Sequence, residues 1–467
     1  MGTKNIRNEM WLSAAILFAR QIISASLSLV TLVLALYFIG PVEYGVFVSA
    51  SSLISIFCAI CNLGIGAYLL RSPSKPSSYT YDQAFTILLM TGMTAIVVGV
   101  FLLEQISAWV GVVDLKQLAF ALLFSIPVVI VSRVPQCKIE RQLDYALVAK
   151  VELLAIIFRF FLTLFCFIGD LGVWSLVYGW WGFHILTLLG FLYQGKYTPH
   201  LCWKIKLLKP MLVFGMKTWL ARSIFNLRDL ANPLIVAKIL GTEAVTIVSI
   251  ATNLCEVAAI GLGVSQRISG GVFGKFQKNK EKLSTAISEG TFLQVWIVGF
   301  FQSTIILIGL LLSKYLDSVW QSALLLLPYV SIYYLVLALI QLNISALYTH
   351  NKVGWIIFIN IVYVFILMFL AYLLSKRYGI NGYGFAVAAS SFLLLVFLFA
   401  NGLRSRADLS TYSVITASFF ATLLFVLESS PWAILLISLL FIIKPIREEF
   451  KKIMHRIKFG WLKTNME

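Results

Sequence analysis

A chain of 467 residues that is 60% hydrophobic and only 12% charged, with a mean hydropathy of +0.91, has too few polar groups to cover an ordinary soluble fold. Its formal net charge of +17 does not point to nucleic acid, because the lysines and arginines fall in short segments between apolar runs rather than on one soluble face. A polytopic, all-α membrane protein is expected.

Runs long enough to cross ~30 Å of hydrocarbon are found at 11–38, 43–70, 83–107, 116–135, 146–169, 171–194, 210–239, 243–270, 284–313, 319–348, 353–375, 381–402, 410–427 and 430–446. The first is too long for a signal-peptide core and has no Ala-x-Ala exit, so it is expected to stay as a membrane helix. Between the first two runs stands GPVEYG, Gly40 to Gly45. Glycine tolerates the positive φ of a helix end, and proline fits the next helix start, where its missing N–H has no partner to lose. Cys58 and Cys61 have CxxC spacing but lie in an apolar run, where small packing residues are expected rather than a metal site.

Basic residues fall in alternate connections: Lys4 and Arg7, Arg71 and Lys75, Arg133 to Lys150, Lys196 to Lys209, Arg267 to Lys282, Lys352, Arg404 and Arg406, and the tail. The intervening connections hold only Lys116, Lys238, Lys314, Lys376 and Arg377. Both termini are therefore expected in the cytoplasm. The tail from Ile446 to Thr464 places Ile446, Phe450, Ile453, Ile457 and Trp461 near one helical face with cations elsewhere, an amphipathic pattern suited to the anionic inner leaflet.

An internal repeat is legible. Arg20 in the first run and the turn at Gly40 recur as Arg222 in the seventh run and the turn at Gly241. The expected organisation is two six-helix lobes, 1–194 and 210–402, joined by a cytoplasmic linker at 195–209. Two further helices follow at 403–446 and a basic amphipathic tail at 447–467. A ligand cavity is expected between the lobes.

No phosphate loop, nucleophile elbow or HExxH motif is present, so no catalytic, cofactor or metal residues are expected. Charge at membrane depth is the chemical signal, since it is costly unless it faces a wet cavity or a partner. Arg20, Arg159, Lys217, Arg222 and Arg228 qualify. On a regular helix Ser13, Arg20, Ser24, Ser28 and Thr31 form one stripe; Lys217, Arg228 and Asn232 share one side of the seventh run, and Arg222, Asn226 and Asp229 another. Arg222 and Asp229 are spaced to pair, as are Glu152 and Arg159, so each arginine faces either its own carboxylate or a ligand. Ser249, Asn253 and Glu256 line one side of the eighth run, placing Glu256, with Asp229 and Glu152, as a coupling-ion candidate or a salt-bridge partner. His184, alone in an apolar run, reads as a packing residue.

Three segments carry a family resemblance: the first hairpin, with GPVEYG and NLGIGAYLLR (Asn62 to Arg71); PQCKIERQLDYALVAKVE (Pro135 to Glu152); and FGMKTWLARSIFNLRDLANPLIVAKILGTEAV (Phe214 to Val245). Together they resemble the polysaccharide transporter branch of the multidrug/oligosaccharidyl-lipid/polysaccharide exporter superfamily, to which Wzx-type flippases belong. The resemblance implies a bacterial inner-membrane transporter, not an enzyme. Its cargo would be a polyprenyl-diphosphate-linked oligosaccharide, moved by alternating access, with membrane lipids and the polysaccharide polymerase and chain-length machinery as partners. Arginine forks suit a diphosphate and repel cationic drugs, which ranks this above an ion-coupled multidrug exporter of the same fold. A membrane polymerase or glycosyltransferase would need a sizeable outer loop or an acidic nucleotide-sugar motif, and neither is seen.

Overall fold

The computed structural model describes residues 3–71, 76–142, 144–263, 265, 280–349, 352–400, 407–442 and 444–453, and among them there is no strand. Helix α1 (Thr3–Phe38) meets α2 (Gly40–Cys61) at Gly40, whose φ of +76° makes the turn. Leu63 and Gly64, also at positive φ, break the second run before α3 (Ile65–Arg71). Helix α4 (Ser78–Val110) stops at Gly111, φ +81°. The fourth run is split into α5 (Val113–Leu123), α6 (Ile126–Val131) and α7 (Arg133–Glu140), with a bend of 41° ahead of Pro127. The Asp144 side chain accepts the Leu147 N–H at 3.0 Å and caps α8 (Tyr145–Ile168), which is followed by α9 (Trp174–Gln194).

Helix α10 (Ile205–Asn226) tightens into a 3₁₀ turn at Leu227–Leu230 and widens into a π turn at Asn232–Val236 before α11 (Ala237–Leu240). Gly241, φ +87°, then makes the turn into α12 (Thr242–Ala258) as Gly40 does for α2. The remainder comprises α13 (Lys280–Leu312), α14 (Ser318–Thr349), α15 (Val353–Ser391), α16 (Phe397–Ala400), α17 (Ala407–Ser429) and α18 (Ile437–Ile442). Gly379, φ +62°, divides α15 where two separate runs are expected.

Among the described residues eight helices are long and apolar enough to span a bilayer, or nine if the bent 114–140 pair is one span. The expected fourteen include helices that this count by length and composition passes over or merges. The α10 run carries Lys206, Lys209, Lys217 and Arg222, α12 has 17 residues, and Gly379 lies inside a single long helix. Bulky apolar side chains such as Phe101, Phe165 and Phe365 stand more than two-thirds exposed on these spans, as lipid contact requires.

Contacts divide the chain into two compact units, one of Ala19–Ser249 with Asn360–Tyr383, the other of Met1–Phe18, Ile250–Ile359 and Gly384–Glu467. In the first unit α10 to α12 pack against α2 rather than standing apart from it. A Cβ on Gly45 would strike the Thr242 carbonyl, and Gly64 and Gly215 sit backbone against backbone. Trp219 Nε1–H donates to the carbonyls of Ala59 (3.1 Å) and Ile60 (2.9 Å), and Thr246 Oγ1 donates to the Pro41 carbonyl at 2.5 Å.

The connector after α9 is extended and tied to the start of α4. The Tyr197 hydroxyl donates to Asp82 Oδ1 at 2.9 Å, and the backbone N–H groups of His200, Cys202 and Lys204 reach Asp82 Oδ1 (3.4 Å), Thr86 Oγ1 (2.9 Å) and Gln83 Oε1 (2.5 Å). Burial, followed by the bond to Asp82 and its charge, raises the Tyr197 hydroxyl above its ordinary range, so it stays a donor.

In the second unit, residues 444–453 are helical and bury Ile446 and Ile453, while the Phe450 ring lies 5.1 Å from that of Trp296 on α13. The apolar side of the tail, expected to lie on lipid, is thus taken up by protein in its described part. Ile457 and Trp461 lie outside the described residues.

Candidate functional site

Arg20 is the first surprise. Its Nη1 donates to Glu152 Oε2 on α8, and both side chains are nearly buried, at 13% and 14% exposure. Glu152 therefore serves Arg20 rather than Arg159, correcting the pairing suggested by spacing along one helix. A guanidinium arriving from α1 needs no curvature of α8 to meet the carboxylate, whereas partners seven apart must both bend along the axis. Arg20 Nη2 donates to Gln21 Oε1 at 2.5 Å, and its Nε–H is buried without an acceptor.

Arg159, two turns further along α8, is half-buried and makes no ion pair with a described carboxylate. Its charge faces Tyr44, whose hydroxyl bonds to Ser249. Tyr44, near the start of α2, thereby links the cation on the middle of α8 to Ser249 on the middle of α12. One turn beyond Arg159, Thr163 Oγ1 is buried and unbonded against Gly179. His184 lies between the rings of Trp180 (4.7 Å) and Phe183 (4.9 Å), in keeping with packing.

On α10, Arg222 is exposed and makes no ion pair among the described residues. Its neighbours are fixed: the Ala221 carbonyl accepts from the buried Asn360 Nδ2 at 3.0 Å, and Ser223 Oγ donates to the Ala59 carbonyl at 3.4 Å. The expected partner, Asp229, is held instead by Arg228, Nε to Oδ1 at 3.0 Å, and Arg228 also lies 4.2 Å from the Phe225 ring centre. The expected grouping assumed 100° per residue throughout. The 3₁₀ turn at Leu227–Leu230 advances about 120° per residue, which turns Arg228 and Asp229 away from the faces drawn on a regular helix.

Asn232 opens the π turn with its Oδ1 buried and unbonded, and π turns of this kind recur at ligand sites. The side chain of Lys217 lies outside the described residues. Glu256, in the second unit, is exposed and accepts the Tyr334 hydroxyl at 3.1 Å. A hollow of about 520 Å³ beside Phe158, Phe165, Leu171, Tyr178 and Ile185 is apolar and offers nothing to an anion.

Sequence reasoning missed Tyr44 and Gln136. Tyr44 reads as an interfacial aromatic because nothing in the chain shows that α8 brings Arg159 to it. Gln136, whose amide nitrogen approaches Glu152 Oε1 at 3.5 Å, lies within a quoted motif yet carries no charge to attract notice.

Helices of this length and apolarity define a multi-pass membrane protein, and the comparisons give its class. The fold is that of the multidrug/oligosaccharidyl-lipid/polysaccharide exporter superfamily. It is similar to the MATE multidrug transporter DinF-BH, solved as a ligand complex, with a TM-score of 0.60, 15% identity, and coverage of 86% of this chain and 97% of that one. The lipid II flippase MurJ in an inward closed conformation gives a TM-score of 0.56 at 14% identity, covering 97% of this chain and 99% of that one. A superfamily transporter from Pyrococcus furiosus, described as having a binding pocket of reversed polarity, gives 0.59 at 14% identity, covering 85% and 95%. Curated protein sequences yield no match. The family model described as polysaccharide biosynthesis protein matches residues 33–324, and the chain belongs to that family.

Proposed function

We propose that the protein is a flippase, not an enzyme, that carries a polyprenyl-diphosphate-linked oligosaccharide from the cytoplasmic to the outer leaflet of the bacterial inner membrane. The carrying observation is the set of guanidinium groups on α1, α8 and α10, of which Arg159, inside a membrane span, and Arg222 have no carboxylate among the described residues. A cation left unneutralised in hydrocarbon is tolerated where an anion or water visits it. Arginine forks match phosphate oxygens, and shielding a diphosphate is the main electrostatic task in moving such a lipid.

In this reading Arg20, Arg159 and Arg222 bind the diphosphate, with Arg228, Lys217 and Asn232 in support, and Glu256, Asp229 and Glu152 are the coupling-ion candidates. Alternating access between lobes 1–194 and 210–402, with both termini in the cytoplasm, moves the cargo towards a polymerase and chain-length machinery. Exchanging Arg20 or Arg222 for alanine is expected to abolish surface polysaccharide while leaving the protein in the membrane at normal abundance. Unchanged polymer in both variants would sink the assignment.

The alternative is an ion-coupled multidrug exporter, favoured by the fold shared with a MATE multidrug transporter. Deleting the gene would then change drug accumulation and leave the glycan intact.

A further inference from the structure

The Arg20–Glu152 pair is backed by a second row of side chains. Glu152 Oε1 faces Gln136 Nε2 at 3.5 Å; the same nitrogen donates to Glu140 Oε1 at 2.9 Å, and Gln136 Oε1 accepts from Arg133 Nη1 at 3.0 Å. The carboxylate on Arg20 is therefore anchored from α7, while the Nε edge of the guanidinium keeps a buried donor with no acceptor. Of the three guanidinium nitrogens, Nη1 is taken by a built-in anion and Nη2 by Gln21, and Nε alone is unbonded.

From this arrangement we infer that Glu152 determines specificity, acting as an internal competitor that sets the least charge an anion must bring to take Arg20. The inference rests on reading Arg20 as a phosphate ligand. Arg20 is the second residue of the span Ala19–Phe38, and a bare guanidinium at the end of a span is within reach of singly charged phosphodiester headgroups, which would occupy it. Glu152 matches such a headgroup in charge and pays no translational entropy to bind, since it is already in place. A singly charged phosphodiester therefore loses the contest. A doubly charged diphosphate, with more oxygens, takes the unbonded Nε–H with one phosphate and displaces the carboxylate from Nη1, towards Gln136, with the other. Discrimination arises from a repulsive element against the common lipid as well as attraction to the rare one.

The test uses the full-length protein purified in non-ionic detergent, with farnesyl diphosphate and dioctanoyl phosphatidylglycerol as probes and thermophoresis as the readout. Wild type is expected to bind the diphosphate and to resist competition by phosphatidylglycerol. Glu152→Gln, which keeps the shape and the bond to Gln136 but removes the charge, is expected to keep diphosphate binding and lose about tenfold in selectivity, worth about 1.4 kcal/mol. Glu152→Asp, which withdraws the carboxylate by one methylene, should fall between, and carries the test if Glu152→Gln does not fold. Arg20→Gln should lose diphosphate binding. An unchanged selectivity ratio in the Glu152 variants, with binding still lost in Arg20→Gln, overturns the inference and leaves the flippase reading standing. Equal diphosphate binding by wild type and Arg20→Gln overturns Arg20 as a ligand and the inference with it.

Discussion

Gly64 and Gly215 occupy each other's side-chain space: a Cβ on either would meet the backbone of the other. This contact joins the break between α2 and α3 to the middle of α10, and two residues so placed admit no third atom. Gly64 adds a φ of +69°, a conformation that side chains resist.

Gly64→Ala and Gly215→Ala are each expected to lower the melting temperature in detergent by several degrees, with a cost of about 1–3 kcal/mol. Gly66→Ala, whose new carbon would meet only Cys137 Sγ at 3.5 Å, is the matched control and should be neutral. Equal melting of all three would refute the close approach.

Arg159→Leu should move stability and transport in opposite directions. Removing a half-buried charge with no described carboxylate relieves its desolvation, so the melting temperature rises. The cation offered to the cargo is lost, so surface polymer falls. A variant that loses both stability and transport would mark Arg159 as a structural cation held by Tyr44.

Gln294 and Gln302 on α13 are each buried with both amide atoms unbonded. Replacing either with leucine should stabilise the protein by about 1–3 kcal/mol, since an unsatisfied buried amide costs that much. Destabilisation measured by thermal unfolding in detergent would show that bound water or a ligand satisfies them.

Phe450→Ala should loosen the helical tail from Trp296, at a cost of about 1–3 kcal/mol for a half-buried aromatic. Proteolysis within this segment is expected to accelerate. Tail cleavage at the wild-type rate would return the apolar side of this segment to the lipid.

The long apolar runs and their glycine turns were legible because hydrophobic length and backbone freedom are local properties. Gly40 and Gly241 both turn as the repeat suggests. Charge pairing was not legible, because Arg20 and Glu152 are 132 residues apart and only tertiary packing brings them together. The Arg228–Asp229 contact was obscured for a different reason: the backbone leaves the regular α-helix where the sequence still reads as one, and Pro233 alone signals trouble. Most of the architecture is thus written in composition and periodicity. The partners of each buried cation are written in the packing.

From His200 to Lys204 the connector presents every second amide hydrogen to Asp82, Thr86 and Gln83. Such a tether measures out chain by parity. One residue inserted between Tyr197 and Lys204 would turn the remaining amides towards the wrong side, whereas the same insertion beyond Lys204 would leave every bond as it stands.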